Sequence, residues 1–445
     1  MSLQDQTTMR GVATEIVRRL QRAGFSAYWV GGCVRDSLLG REPGDFDIAT
    51  NALTEEIEKL FPHTIPVGRQ FGVVVVIEGG MSFQVATFRA ESDYADGRRP
   101  SQVSFGEPRA DALRRDFTVN GLFFDPITNT THDWVGGEVD LRARLIRTIG
   151  RPEERFAEDH LRLLRAVRFA AQLNFEIEPA TLAAIRTLAG RIELISAERV
   201  RDELLKLFVP GIAERGLLLL EQSGLLIHVL PELAATATCE QSPDFHPEGS
   251  VFAHLCLMLR QLPAGSDPLL PWAVLMHDIA KPITASRDPE TGAIHFYDHE
   301  RIGADMARRI MGRLRFPKKQ LEDVATAVRH HMQFKDARQM RKSTLRRMMM
   351  RPTFPLELAL HRLDCLGSNG NLEAHDFLVE QAEELAKQPE IIPPLVTGDD
   401  LIRLGLKPGP PLGQLLAEIR EKQLADELKS KDEAETWARQ RLATR

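Results

Sequence analysis

The sequence has no apolar run approaching the roughly 18 residues that a bilayer-spanning helix needs, so no membrane association is expected. Its start, Met1-Ser2-Leu3-Gln4-Asp5-Gln6, lacks the basic stretch and apolar core of a secretory signal. Cysteine is scarce: Cys33, Cys239, Cys256 and Cys365 lie far apart and form no C-x-x-C pair. That argues against a disulfide framework or a thiolate zinc site and fits a reducing cytoplasm. There is no internal repeat and no low-complexity tract. Nor is there an overall basic excess; the net charge of −6 argues against a protein that coats nucleic acid nonspecifically, although a local patch would suffice for a specific contact. One such patch is Lys335 to Arg351, with Lys335, Arg338, Arg341, Lys342, Arg346, Arg347 and Arg351 against the single acid Asp336. A second runs from Arg301 to Lys319. For both, the alternative to an RNA contact is a solvated helix face.

What is there is ordinary globular material, 43% hydrophobic and 27% charged, in a chain of 445 residues that exceeds one core and points to two to four domains. The first ~150 residues read as α/β. A helix from about Thr8 to Ala23 ends at Gly24, and a short strand, Ala27 to Val30, runs into Gly31-Gly32 and another helix. Val73 to Ile77 and Ser82 to Phe88 read as a hairpin beside the segment carrying Asp45 and Asp47, whereas Glu91 to Pro108 reads as a long loop. From Glu158 onward the period is helical, with Leu161, Leu164, Val167 and Ala171 on one face.

The chemistry concentrates in Gly31-Gly32-Cys33-Val34-Arg35-Asp36 and Gly44-Asp45-Phe46-Asp47-Ile48-Ala49-Thr50. If Asp45–Asp47 is extended, both carboxylates lie on one face with Phe46 turned into the core. Two close carboxylates repel unless a cation bridges them, which favours Mg²⁺, and nucleotidyl transfer uses such a pair to activate a 3′-hydroxyl and stabilise leaving pyrophosphate. The glycines let backbone N–H groups approach a triphosphate. Either motif alone is commonplace; the two together in a strand–turn–helix–strand setting are far more specific.

These motifs resemble those of the class II tRNA nucleotidyltransferase and bacterial poly(A) polymerase family, in the polymerase-β superfamily. Further segments carry the same resemblance in the family's order: Asp111-Ala112-Leu113-Arg114-Arg115-Asp116-Phe117-Thr118-Val119-Asn120, then Asp125-Pro126, Asp133, Gly136-Gly137 and Asp140-Leu141, then Glu158-Asp159-His160-Leu161-Arg162-Leu163-Leu164-Arg165-Ala166-Val167-Arg168. The loop Asp93-Tyr94-Ala95-Asp96-Gly97-Arg98-Arg99-Pro100 is similar to the family's mobile loop. The resemblance implies a fold of class α+β: a polymerase-β-like head with a mixed sheet and helices, followed by an all-α body. It implies catalysis at Asp45 and Asp47 with Mg²⁺, and nucleotide binding by Gly31, Gly32, Arg35, Arg114, Arg115, Asp116, Asn120, Glu158, Asp159, Arg162, Arg165 and Arg168. Asp159 and Arg162, three apart, are expected on one helical face, where a carboxylate beside a guanidinium suits the Watson–Crick edges of C and A and leaves U and G with unpaired groups. Without the resemblance, Glu158, Asp159 and Arg162 would read as a capping acid pair and a surface ion pair. Arg114 and Arg115 suit triphosphate oxygens, and Asp116 and Asn120 the ribose. Ser196-Ala197-Glu198-Arg199-Val200-Arg201-Asp202-Glu203-Leu204 reads as a structural brace. One departure is Gln84, where many relatives carry a Glu proposed as a third metal ligand; an amide ligates more weakly, so Gln84 is left out of the expected site.

Downstream, His254, His277-Asp278, His299, His330-His331 and Asp364 follow one another in a helical region. The core piece, Ala273-Val274-Leu275-Met276-His277-Asp278-Ile279-Ala280-Lys281-Pro282, resembles the HD superfamily of metal-dependent phosphohydrolases. The resemblance implies metal ligation by His254, His277, Asp278 and Asp364, with His299 and His330 at positions for a second metal or phosphate. Imidazole with carboxylate suits Mn²⁺, Fe²⁺, Ni²⁺ or Mg²⁺. By resemblance such a domain hydrolyses 2′,3′-cyclic phosphates. His228 and His361 read as structural.

The expected domains are a head at 1–148, a helical neck at 149–240, an HD-type domain at 241–352 and a helical tail at 353–445. In the tail, Thr397 reads as a helix N-cap and Gly409-Pro410-Pro411 as a helix entry, either holding the tRNA elbow or purely structural. The expected activity is addition of CCA to the tRNA 3′ end from CTP and ATP in the cytoplasm, with no obligate protein partner visible. Against poly(A) polymerase stand the histidine domain, the mixed charge of the tail and Gly68-Arg69-Gln70-Phe71-Gly72-Val73 in place of G-R-R-F-R-L. Enzymes adding only CC lack part of the mobile loop, which is intact here; addition of A alone stays open. The reading from another class is a nucleotide-signalling HD phosphohydrolase with an inactive head, against which the intact Asp45, Asp47, Glu158, Asp159 and Arg162 speak.

Overall fold

The computed structural model describes residues 8–66, 72–94, 100–241, 249–388, 391 and 393–443, with backbone alone at 90–94 and 100–105. The chain forms two compact units: Met1–Leu207 with Arg215–Pro231, and Phe208–Glu214 with Glu232–Arg445. Segment 67–71, which carries the Gly68–Phe71 contrast, and 95–99 of the expected mobile loop lie outside the described residues.

In the first unit, helix α1 (Met9–Arg22) starts where the Thr8 hydroxyl accepts the Gly11 N–H. Val12, Ala13, Ile16, Val17 and Leu20 recur every three or four residues and are buried, and Gly24 at φ +91° follows its end. Next come β1 (Ala27–Val30), α2 (Gly32–Leu38), β2 (Asp47–Thr50), α3 (Thr54–Leu60), β3 (Thr64–Ile65), β4 (Val73–Glu78) and β5 (Met81–Thr87). Strands β6 (Arg89–Tyr94) and β7 (Pro100–Phe105) form a separate antiparallel ribbon, followed by α4 (Pro108–Leu113), β8 (Phe123–Asp125), β9 (Thr130–His132) and α5 (Gly137–Ala143). The main sheet has the order β3-β4-β5-β2-β1-β8-β9, mixed because β2 and β5 are parallel while its other pairings are antiparallel. The mixed-sheet head expected from the sequence is therefore present.

The ribbon corrects the expectation of a long loop over Glu91–Pro108. Strand β6 lacks the apolar alternation that marks a half-buried strand and β7 offers only Val103 and Phe105, so backbone pairing decides the structure there.

Pairing β1 with β2 puts Val30 opposite Asp47, and pairing β2 with β5 puts Ile48 opposite Val85. One step before that pair, Asp47 and Gln84 therefore sit on adjacent strands, next to the turn at Gly31. The remaining helices of this unit begin with α6 (Pro152–Glu158), α7 (Arg162–Leu173), α8 (Pro179–Leu188) and α9 (Ala197–Leu207). A parallel pairing of Leu145–Ile146 with Glu176–Ile177 crosses the expected boundary at 148. The helix expected to run on from Glu158 is broken: α6 ends at Glu158, Asp159 is extended at φ −145°, and α7 starts at Arg162. The Asp159 carboxylate accepts the Leu161 N–H, an Asx turn that competes with helix continuation.

The second unit is helical apart from a two-stranded hairpin, Ala285–Arg287 with Ile294–Phe296. Helices Val251–Arg260, Leu270–His277, His299–Arg313, Lys318–His330 and Phe354–Gly367 pack on one another. The last of these begins in the segment expected to be tail, so the helical bundle extends past residue 352. Thr397 does cap a helix, exchanging hydrogen bonds with Asp400, and Pro410 opens another; a small apolar core including Leu401, Leu415 and Ile419 holds them. Most cations of the two basic stretches are paired: Arg346 and Lys342 with Asp426, Arg347 with Glu421, Arg351 with Glu357, Arg301 with Asp298, Arg308 with Glu322, Arg313 with Glu232, and Lys319 with Asp323. That favours the solvated, ion-paired face over a bare RNA patch.

Candidate nucleotide cleft and metal cluster

A cleft of about 650 Å³ in the first unit is lined by Gly31, Gly32, Arg35, Asp45, Asp47, Gln84, Arg114, Arg115, Asp116, Asn120, Asp159, Arg162, Arg165 and Arg168, together with Phe169 and Lys206. Every expected head residue except Glu158 is in that lining. Gln84, left out of the expected site, is in it too. Phe46 between the two aspartates is buried, so the alternation read from Asp45-Phe46-Asp47 holds.

Burial, then the nearby Asp45 charge, pushes the Asp47 carboxyl up to about 6, with Arg115 opposing them. A cation against both carboxylates would relieve this repulsion, and the Gln84 amide oxygen adds a third oxygen donor of the kind Mg²⁺ takes. Gly31 adopts φ +75°, and a Cβ there would lie 3.0 Å from Arg115 Nη1, so only glycine admits that guanidinium so close to the turn.

The arginines are held by partners behind them. Asp111, 1% exposed, accepts from Arg114 Nη2 at 2.6 Å and from Arg115 Nη2 at 3.1 Å. Asp116 accepts Arg165 Nη2 at 2.6 Å and Asn120 Nδ2 at 3.1 Å; burial would raise its carboxyl, but Arg165 holds it down at about 2. Asn120 in turn accepts from Arg35 Nη1 at 2.7 Å, and Arg168 Nε donates to Glu203 at 2.6 Å. The guanidinium carbons of Arg35, Arg165 and Arg168 lie 5.4, 5.2 and 4.1 Å from the Phe169 ring centre. Phe169 and Lys206 were not singled out in the sequence, where both pass for ordinary positions of amphipathic helices. Glu203, placed in a brace, holds Arg168.

Arg162 Nη1 donates to Glu158 Oε2 at 2.5 Å and to the Arg155 carbonyl at 2.9 Å, and its Nη2 donates to the Arg114 carbonyl at 3.2 Å. Three of its five N–H donors are thus engaged, leaving two for a ligand. Glu158, also bonded by Arg155 at 2.8 Å, stands behind Arg162 rather than in the lining. Asp159 accepts from Arg199 Nη2 at 2.9 Å.

In the second unit the sequence-predicted His254, His277, Asp278 and Asp364 converge. His254 Nε2 is 3.1 Å from Asp364 Oδ1, and His277 Nε2 is 3.2 Å from Asp278 Oδ2 and 3.9 Å from Asp364. His299 Nε2 lies 3.5 Å from Asp278 Oδ1, and His331 Nε2 lies 3.9 Å from the same oxygen. Two triads result, His254–His277–Asp278 and Asp278–His299–His331, each close enough to share one ion. Of the two histidines expected at a second site, His299 lies in the second triad, whereas His331 stands there in place of His330. His330 points elsewhere, 3.8 Å from Glu357, because successive positions on a helix end are rotated by about 100°.

The Nδ1 atoms of His254, His277, His299 and His331 contact the carbonyls of Gly367, Val274, Phe296 and Val328 at 3.3, 2.8, 2.7 and 2.6 Å. A carbonyl only accepts, so each Nδ1 carries a proton, and each Nε2 is the ring atom turned toward the carboxylates, the one that would take a metal. His277 Nε2 is buried without a hydrogen-bond partner. Burial pushes His331 down to about 3, keeping it neutral. Burial opposes ionisation of Asp278, yet His277, Lys281 and His299 hold its carboxyl well below the ordinary value. His361, expected to be structural, lines the pocket beside this cluster. No described helix is long and apolar enough to cross a membrane.

Three family models match the chain: the poly A polymerase head domain over 27–147, a probable RNA and SrmB-binding site of polymerase A over 174–236, and the HD domain over 251–366. A CCA-adding enzyme of Levilactobacillus brevis is 34% identical over 410 residues, covering 92% of each chain. One of Geobacillus kaustophilus is 46% identical over 224 residues, 50% of this chain and 55% of its own. The crystal structure of the Bacillus stearothermophilus CCA-adding enzyme in complex with CTP superposes with a TM-score of 0.76 at 27% identity, over 100% of this chain and 99% of that one. With its poly A polymerase head, its HD domain and a relative matched over nine-tenths of both chains, the chain belongs to the family of CCA-adding enzymes, which are nucleotidyltransferases.

Proposed function

We propose that this chain adds CCA to the 3′ end of tRNA from CTP and ATP, in the cytoplasm, through the cleft around Asp45 and Asp47. The observation that carries the site assignment is the gathering of two aspartates, a glycine turn and six arginines in one cleft. The 3′-hydroxyl oxygen attacks the α-phosphorus of the bound nucleotide; a new O–P bond forms, the bond from the α-phosphorus to the bridging oxygen breaks, and pyrophosphate leaves with that electron pair while the hydroxyl proton passes to solvent. Asp45, Asp47 and the Gln84 amide would hold Mg²⁺, which when bound supplies Lewis acidity at the hydroxyl and the leaving pyrophosphate. Arg114 and Arg115, pinned by Asp111, present fixed guanidinium forks to triphosphate oxygens. Asp116 and Asn120 face the ribose. The two remaining donors of Arg162 and the Asp159 carboxylate form an acceptor–donor pair for the ring nitrogen and amino group that C and A share, so protein side chains take the part of a template. Asp45→Ala, assayed with tRNA lacking CCA, tRNA lacking only A, and poly(A), is expected to lower incorporation by at least about a thousand-fold. Undiminished addition would remove the central claim, and the choice of primer separates CCA addition from addition of A alone and from poly(A) synthesis.

The buried His277 Nε2 and the Asp278 carboxylate that both triads share favour a second activity in the body, hydrolysis of a 2′,3′-cyclic phosphate. Water adds to phosphorus, one ring P–O bond breaks, and a phosphomonoester with a free neighbouring hydroxyl results. The two triads would hold Mn²⁺, Ni²⁺, Fe²⁺ or Mg²⁺, which when bound supplies an activated water. Cleavage of 2′,3′-cyclic AMP with each metal in turn tests this, and cleavage that survives Asp278→Ala would refute the assignment.

A further inference from the structure

The cavity beside the histidine cluster, about 710 Å³, is larger than a phosphate needs. Its far wall is built from the hairpin that leads into His299. On strand Ile294–Phe296 and the residue after it, His295 and Tyr297 are two apart and so share a face. Their rings stack with centroids 5.4 Å apart and planes inclined by 20°. Tyr297, one of three tyrosines in the chain, is 71% exposed in this wall. An exposed ring already stacked on one side presents its other face to the cavity or solvent. Phe296, between them, lies 5.3 Å from Lys281 Nζ, the lysine that sits 2.7 Å from Asp278. Lys335, also in the cavity lining, is exposed and makes no ion pair among the described residues, although most cations of the same basic stretch are paired.

We infer that this wall is a base-stacking platform, on which Tyr297 and His295 hold the base of the hydrolysed nucleotide while Lys335 meets a further phosphate. The inference rests on the hydrolytic reading of the cluster. Tyr297 is two residues from His299, so its Cα lies within roughly 7 Å of the Cα of a residue in the second triad. That is the scale of one nucleotide from base to phosphate. Stacking on an aromatic ring tolerates any base and is worth about 1–3 kcal/mol per base, enough to separate nucleotides from base-free esters.

The test compares metal-loaded full-length protein and its Tyr297→Ala, Tyr297→Phe, His295→Ala and Lys335→Met variants on 2′,3′-cyclic AMP and on glycerol 1,2-cyclic phosphate, which has no base. The ratio of KM for the nucleotide to KM for the glycerol ester should rise about ten-fold in Tyr297→Ala and be restored in Tyr297→Phe. An RNA ending in a 2′,3′-cyclic phosphate, run in parallel, separates the two sources of the nucleoside. A lower KM for the RNA than for the mononucleotide, sensitive to Lys335→Met, assigns an RNA end; equal values assign free nucleotide. A ratio unmoved by Tyr297→Ala overturns the platform. If wild-type protein hydrolyses neither ester with any metal, the hydrolytic reading fails, and calorimetric titration with 2′-AMP decides the platform alone. Binding weakened by Tyr297→Ala and restored by Tyr297→Phe supports it, and binding indifferent to the variant overturns it.

Discussion

In the head cleft, charged side chains are held by other charged side chains: Arg114 and Arg115 by Asp111, Arg165 by Asp116, Arg168 by Glu203, and Arg162 by Glu158. In the body cluster, four imidazoles are held by backbone carbonyls, and their other nitrogens converge with two carboxylates. The first arrangement is a preset field of guanidinium forks, ready for a polyanion and stable without one. The second crowds buried imidazole nitrogens against two carboxylates, so it gains most from a bound cation. Substitutions should therefore act through substrate selection in the head and through metal occupancy in the body.

Metal content tests the body half of that contrast. Asp278 belongs to both triads, so Asp278→Ala should strip divalent metal from the purified protein, with content by elemental analysis falling below about a tenth of wild type. CCA addition should fall by less than about three-fold, because surface or distant changes seldom exceed a few tenths of a kcal/mol at an independent site. Metal retained after Asp278→Ala would show that the triads do not depend on the shared carboxylate.

In the head, Arg162→Ala removes the guanidinium proposed to read the base and leaves Glu158 without one of its partners. Losing two charged hydrogen bonds to the base, each worth about 1.5–3 kcal/mol, should lower kcat/KM for CTP and ATP by two to three orders of magnitude. Glu158→Gln keeps the guanidinium in the cleft and should lose only about ten-fold, the worth of one charge-assisted hydrogen bond. Only Arg162→Ala should raise UTP misincorporation relative to CTP. If the two variants erode fidelity alike, Glu158 reads the base directly and is not merely a support.

Much of this was legible in the sequence because it is local. Asp45-Phe46-Asp47 and Gly31-Gly32 announce themselves by alternation and by the need for a special turn, and the strands on either side follow from β-branched runs. What escaped depends on tertiary context. The break at Asp159 is invisible to periodicity, because Glu-Asp-His is compatible with a helix and only the side-chain bonds to Leu161 N–H and Arg199 favour the turn. His330 and His331 are chemically identical neighbours, and which one faces the cluster depends on how one helix end is rotated. Ribbon β6–β7 is mostly polar, so its pairing leaves little apolar signature. Gln84 was set aside for its chemistry, whereas its strand position beside Asp47 comes from sheet order. Phe169 looks like any core residue of an amphipathic helix until three guanidinia are found around its ring.

A smaller effect separates backbone strain from cleft geometry. Gly31 and Gly24 both have positive φ, but a Cβ at Gly24 meets nothing within 4 Å while one at Gly31 meets Arg115 at 3.0 Å. Alanine at either should cost about 1–2 kcal/mol of stability through the left-handed backbone. Gly31→Ala alone should also raise KM for the nucleotide, by about ten-fold, because Arg115 must move. Similar KM values for the two variants would remove Arg115 from triphosphate binding.

The smallest effect reads the two carboxylates against each other. Asp47 has its folded carboxyl raised to about 6 from the ordinary 3.8, by burial first and Asp45 second. Between those pH values the folded state keeps a proton that the unfolded chain has released. Stability from this group is therefore present below pH 3.8 and is lost as pH rises to about 6. A divalent cation stabilises the ionised form and should recover that loss, so the rise in Tm on adding Mg²⁺ should be larger at pH 7.5 than at pH 5. An Asp278→Ala background keeps the body cluster from contributing. Asp45→Asn takes away the repulsion but leaves the burial, so in metal-free protein the fall in Tm between pH 4 and pH 6 should shrink without vanishing. If Asp45→Asn leaves that slope intact, burial alone sets the Asp47 carboxyl, and the pair is not the coupled unit that a bridging cation requires.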